Sequence, residues 1–148
     1  MAAATQSNSN RAQILKYQTL SVLKESDDYL MLVKQNVESN GKLSSATLSL
    51  TERLLSRFAV KQIGIADRQG NLALFGRPEV KVNIASEERF QSQKTQNSTL
   101  LHIDKPHLGL LPDQHYLYLS MRLNDREGDF AGIASVAVSM ENFFAIPS

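Results

Sequence analysis

From Arg11 to about Ser39 the chain contains neither Gly nor Pro, and its apolar residues recur at helical spacing. Leu15, Val22 and Tyr29 form one row seven apart; Leu23, Leu30 and Val37 form another, with Val33 between them. A helix of roughly 28 residues, rising about 1.5 Å per residue, is about 40 Å long. That exceeds the width of a compact domain built from 148 residues. Part of such a helix must project beyond the domain or pair with a neighbour. The two rows predict a helix packed on a core, and their heptad-like spacing also fits the seam of a parallel dimer.

Asn40-Gly41 is a helix-ending signal, and a second helix follows with Leu43, Thr47, Leu50, Leu54 and Phe58 on one face. The period then changes from helical to alternating. Ile63 and Ile65, the turn Asp67-Arg68-Gln69-Gly70-Asn71, and Leu72 to Phe75 read as a hairpin that Gly76-Arg77-Pro78 ends. A short helix is predicted over Ser86 to Gln93, with Ser86 as its N-cap and Glu87 and Glu88 in its first turn. Ser98 to Ile103 predicts a third strand, and Pro106, Gly109 and Pro112 an irregular loop. The clearest alternation is in Gln114 to Leu123, with Tyr116, Tyr118, Ser120 and Arg122 on one face and Leu117, Leu119, Met121 and Leu123 on the other. The loop Asn124 to Gly128 leads into Phe130 to Ser139, rich in Ala and Val, and Met140 to Ile146 reads as a terminal helix. Five short strands joined largely by hairpins predict an α+β fold: one antiparallel sheet with helices on one face. We read 11–148 as a single module whose long helix covers 11–39, and 1–10 as a disordered leader or a remnant of cloning.

Composition narrows the function. With 16 basic and 15 acidic residues and a net charge of +1, no basic stripe points to nucleic acid. The absence of cysteine excludes disulfides, zinc-thiolate sites and thiol catalysis. No run approaches the roughly 18–20 apolar residues of a membrane helix, and MAAATQSNSN does not read as a signal peptide. There is no G-x-S-x-G, P-loop or G-x-G-x-x-G, so no enzyme activity is expected. His102 and His107, five apart across Pro106 with no third His near, are a poor metal or haem set, and no cofactor is expected.

Four stretches together resemble the Cache domain, the PAS-like extracytoplasmic sensor of bacterial receptors. IGIADRQGNLALFG is similar to its first hairpin, and IASEERF to its pocket helix, usually D-R-x-Y-F. HIDKPHLG resembles the I-x-x-P-x-x-G segment across the pocket mouth, and SMRLNDREGDFAGI the last hairpin, S-R-R-L-N-D-x-x-G-x-F-x-G-V. The likeness covers residues 11–146 and departs at informative positions. Ser86 and Glu87 stand where Asp-Arg is usual, with Arg89 two positions later; Met121 replaces the first Arg of a pair. The chain has no Trp for the Arg-x-Trp pair of amino-acid sensors, and Ala137 stands where they carry Asp. The resemblance therefore implies a sensor in which amino-acid recognition is disfavoured.

It also implies a pocket between one sheet face and its cover. The residues of suitable chemistry in that region are Arg89, Lys94, His102, Lys105, His107, Tyr116, Tyr118, Ser120 and Arg122. Cationic side chains in a partly dry cleft suit a carboxylate, and tyrosines supply apolar walls with hydroxyl handles. Packing alone is the competing account of the tyrosine face, and a helix surface that of Arg89. The implied function is a periplasmic ligand-binding module of a diguanylate cyclase or histidine kinase receptor. It would dimerise through the long helix and meet the membrane only through segments outside this chain. The competing expectation is a ligand-independent interaction module of PAS-like fold, and a third is a cytoplasmic PAS domain holding haem or flavin.

Overall fold

Helix α1 (Ala2–Asn40) is one uninterrupted rod, and α2 (Ser45–Leu55) folds back along it. In the computed structural model, residues 2–97, 101–103, 107–108 and 115–139 are described. The helix begins at Ala2 rather than at Arg11, because the alanine-rich start contains no helix breaker. Gly41, in the left-handed conformation at φ 75°, ends it. Ser44 caps α2 by accepting from the Thr47 N–H at 3.1 Å.

The strands are β1 (Val60–Ala66), β2 (Asn71–Leu74), β3 (Val82–Asn83), β4 (His102–Ile103), β5 (His107–Leu108), β6 (His115–Asn124) and β7 (Phe130–Ser139). Every described pairing is antiparallel, and the order is β3-β2-β1-β7-β6-β4, with β5 also on β6. Two more strands appear than the five expected, β3 and β5, each only two residues long and at the margins. The long pair β6–β7 is central, as the alternation of β6 and the apolar run of β7 require. The expected terminal helix at 140–146 and most of the 104–114 loop lie outside the described residues.

Two cores lie on opposite sides of the sheet. On one, Val22, Tyr29, Leu30 and Val33 of α1 meet Leu119, Met121, Leu123, Val136 and Val138. A bulge between Val60 and Gln62 turns both Val60 and Ile63 toward this core. On the other, Phe90 of α3 (Glu88–Thr95) packs with Ala66, Leu72, Leu74, Ile84 and Ile133. The short helix thus covers the face opposite α1 and α2, where the sequence placed all helices on one side. The apolar lining of both faces of β7 demands this: all residues from Gly132 to Ser139 are buried.

The β1–β2 and β6–β7 turns use one device. Asp67 Oδ1 accepts from Gln69 N and Asn71 N, each at 3.0 Å, and Asp125 Oδ1 from Glu127 N and Asp129 N, each at 2.9 Å. Gly70 and Gly128 supply the positive φ of 88° and 86° that closes each turn. Arg68 reaches Asp125 at 3.6 Å and joins the two turns at one end of the sheet.

Candidate functional site

Alternation puts Tyr116, Tyr118, Ser120 and Arg122 on the α3 side of the sheet, but α3 covers them unequally. Ser120 and Arg122 are buried beneath it, whereas Tyr116 and Tyr118 are half-buried at its edge. There a cleft of about 270 Å³ opens, bounded by Gln62, Leu72, Leu74, Arg77, Val80, Val82, Glu87, Arg89, Tyr116 and Tyr118. The walls are apolar from β2 and the β2–β3 region and aromatic from β6, with charge supplied by Arg77, Glu87 and Arg89.

Arg89 is the organising group. It is only 4% exposed, in the first turn of α3, where a surface helix position was the competing expectation. Its guanidinium carbon lies 4.0 Å from the centre of the Tyr118 ring. Nε donates to Glu87 Oε1 at 3.0 Å, and one terminal nitrogen donates to Ser135 Oγ at 3.1 Å. The guanidinium is held on its face and two edges, and it walls both the cleft and a narrow inner void floored by Gly64, Ser135 and Ala137. Gly64 keeps this floor low: a Cβ there would lie 2.9 Å from Ala73 O and from a Leu72 methyl. Tyr116 and Tyr118 meet edge to face at 6.5 Å, which fixes the aromatic wall.

Of the nine residues singled out in the sequence, the cleft gathers three, Arg89, Tyr116 and Tyr118. Arg122 is engaged elsewhere: Nε donates to Asn124 Oδ1 at 2.7 Å, and one terminal nitrogen to the carbonyls of Gln93 and Lys94, each at 3.2 Å. Lys94 is exposed in the last turn of α3. His102 stands opposite Ser120 across β4–β6, and His102 Nε2 and Ser120 Oγ are both buried with no partner among the described residues. Lys105 lies outside the described residues; His107 is in β5, and its side chain lies outside them. Among the described residues no group of three or more His, Asp or Glu could hold a metal ion.

Sequence reasoning missed Gln62, Arg77, Glu87 and the apolar wall. Leu72 and Leu74 carried the signal, as the alternate residues of β2 that turn inward. Glu87, expected in the first turn with Ser86 as the cap, is instead the residue at the N-cap before Glu88, and its carboxylate is turned to Arg89 rather than onto the helix's own N–H groups.

No protein-family model and no curated protein matches this sequence. Solved structures do match its fold. The extracellular domain of rpHK1S-Z16, assigned as a histidine kinase, superposes over 97% of this chain with a TM-score of 0.68 at 16% identity. The ligand-binding domain of the Campylobacter jejuni chemoreceptor Tlp3, in complex with 4-methylisoleucine, covers 96% with a TM-score of 0.58 at 10% identity. That of the Pseudomonas aeruginosa amino-acid chemoreceptor PctC, in complex with GABA, covers 95% with a TM-score of 0.55 at 11% identity. This chain spans 61%, 62% and 61% of those three chains, respectively. All three are extracellular or ligand-binding domains of signalling receptors. This chain shares the fold of these three receptor domains.

Proposed function

We propose that the chain is an extracytoplasmic sensing domain that binds a small organic carboxylate in the Arg89 cleft. The observation that carries this reading is Arg89 itself: a nearly buried cation, backed by Tyr118 and steered by Glu87 and Ser135, in the wall of a mainly apolar cleft. A pre-oriented guanidinium in a partly dry site is suited to a carboxylate. Tlp3 and PctC are described with amino-acid ligands, 4-methylisoleucine and GABA. The narrow void behind Arg89 is floored by Ser135 and Ala137 rather than by a carboxylate. Glu87, the carboxylate among the lining residues, already spends one oxygen on Arg89. This favours a carboxylate without an α-ammonium group.

The receptor we envisage is a periplasm-facing histidine kinase or diguanylate cyclase whose membrane and output segments are contributed by sequence beyond these residues. No helix among the described residues is long and apolar enough to cross a membrane. Two copies would pair through the uncovered face of α1. That face carries Ile14, Tyr17, Leu20 and Met31, exposed at 58, 76, 53 and 36%, while the rows from Val22 onward face the sheet.

A thermal-shift screen of short aliphatic and aromatic carboxylates, amino acids and amines tests the reading. A carboxylate at about one hundred times its Kd should stabilise the fold by about 2.7 kcal/mol, and Arg89→Ala should abolish the shift while retaining the circular dichroism spectrum. No carboxylate shift, or a shift that survives Arg89→Ala, would overturn it and leave the interaction module as the better account.

A further inference from the structure

We infer that Arg122 is a positioning residue that ties the pocket helix α3 to α1 through strand β6. The inference rests on reading the Arg89 cleft as the sensing site. Arg122 and Asn124, at the end of β6, are gripped from both faces. On the α3 side, the Arg122 guanidinium donates to the carbonyls of Gln93 and Lys94, which end α3 and lack helical partners. Gln93 Nε2 returns a bond to Ser120 O at 3.1 Å, and Asn124 Nδ2 meets Asn97 Oδ1 at 3.4 Å. Phe130 stacks edge to face on Phe90 of α3, at 5.3 Å, and lies 5.2 Å from the Arg122 guanidinium.

On the α1 side, the Lys34 ammonium, 4% exposed, donates to Arg122 O at 2.7 Å and to Glu38 Oε2 at 2.6 Å. The same Glu38 oxygen accepts the Asn124 N–H at 3.0 Å. A buried ammonium is costly to leave unpaired, so these bonds fix the height and rotation of α1 against β6. Arg122 is the residue common to both sets: its side chain holds α3 and its main chain holds α1.

Residues 89 and 93 stand about one turn apart on α3, so a tilt of the helix that brings Arg89 onto an anion also moves the carbonyls held by Arg122. The displacement reaches α1 near its C-terminal end. Toward the other end of that rod lies the exposed stretch around Ile14 and Tyr17.

Hydrogen exchange on the full chain tests this without a ligand. Glu38→Gln weakens the α1 grip from the side of the sheet opposite α3; Arg122→Met removes the α3 grip and leaves its carbonyl for Lys34. Each should raise exchange by about tenfold at both ends, in α3 (88–95) and in α1 (31–40). Val33→Ala, in the α1 core but outside the network, serves as a control of comparable loss in Tm and should leave α3 protected. The proposal is overturned if Glu38→Gln loosens α1 alone, or if Val33→Ala loosens α3 as much. Should Arg122→Met fail to fold, Glu38→Gln against the Val33→Ala control decides the matter. Failure of every carboxylate to bind would remove the sensing reading and leave this exchange result standing.

Discussion

Arg89 combines stacking on Tyr118 with two directed hydrogen bonds, which a lysine cannot reproduce. Arg89→Lys keeps the charge and loses the planar fork and the fit to the ring. It should weaken carboxylate binding by roughly 2 kcal/mol, about 30-fold, measured by calorimetry. Ser135→Ala removes one steering bond from beneath. It should cost about 1 kcal/mol of binding, roughly fivefold, with little change in Tm. Legibility at this scale followed strand alternation. Period alone puts Tyr116 and Tyr118 on one face of β6. Arg122 shares that face, yet α3 crosses over it and takes up its guanidinium; the path of a covering helix is not written in a strand's alternation.

Among the elements, the two hairpins give the sharpest acid dependence. Burial pushes the Asp67 carboxyl up, but the N–H bonds from Asn71, Gln69 and Gly70 outweigh it and hold the group below its ordinary 3.8. The Asp129 N–H, then the Glu127 N–H and the Arg68 charge, do the same for Asp125 against a smaller opposing effect of burial. In both, the folded value lies below the unfolded one. The contribution to stability is therefore full above about 3.8 and is lost as pH falls through the lowered folded values. Replacing both by Asn keeps a turn-forming acceptor and removes the charge. Thermal melts from about pH 5 to about pH 2 should show a smaller loss of Tm in the double variant than in wild type. Helix α1 makes its own prediction. Tyr17→Glu, on the uncovered face, should leave Tm unchanged and shift any dimer toward monomer in sedimentation.

For the whole molecule, stability and the proposed relay share the same bonds. Lys34→Met would leave Arg122 O without its cation and Glu38 without its counter-charge beside the sheet. The expected cost is about 2–3 kcal/mol in denaturant unfolding, larger than Glu38→Gln. Local sequence set the period of each element: the long helix, the short one expected over 86–93 and found at 88–95, the two hairpins and the faces of β6. These follow from local φ/ψ preference, turn chemistry and the spacing of apolar residues, which act over a few neighbours. Tertiary structure alone decided which side of the sheet α3 would cover, and so which polar residues would line a cleft and which would become ties. It also packed Val22, Tyr29, Leu30 and Val33 of α1 against the sheet. Burial on a sheet with two apolar faces is settled by every element at once, and no local period carries that information.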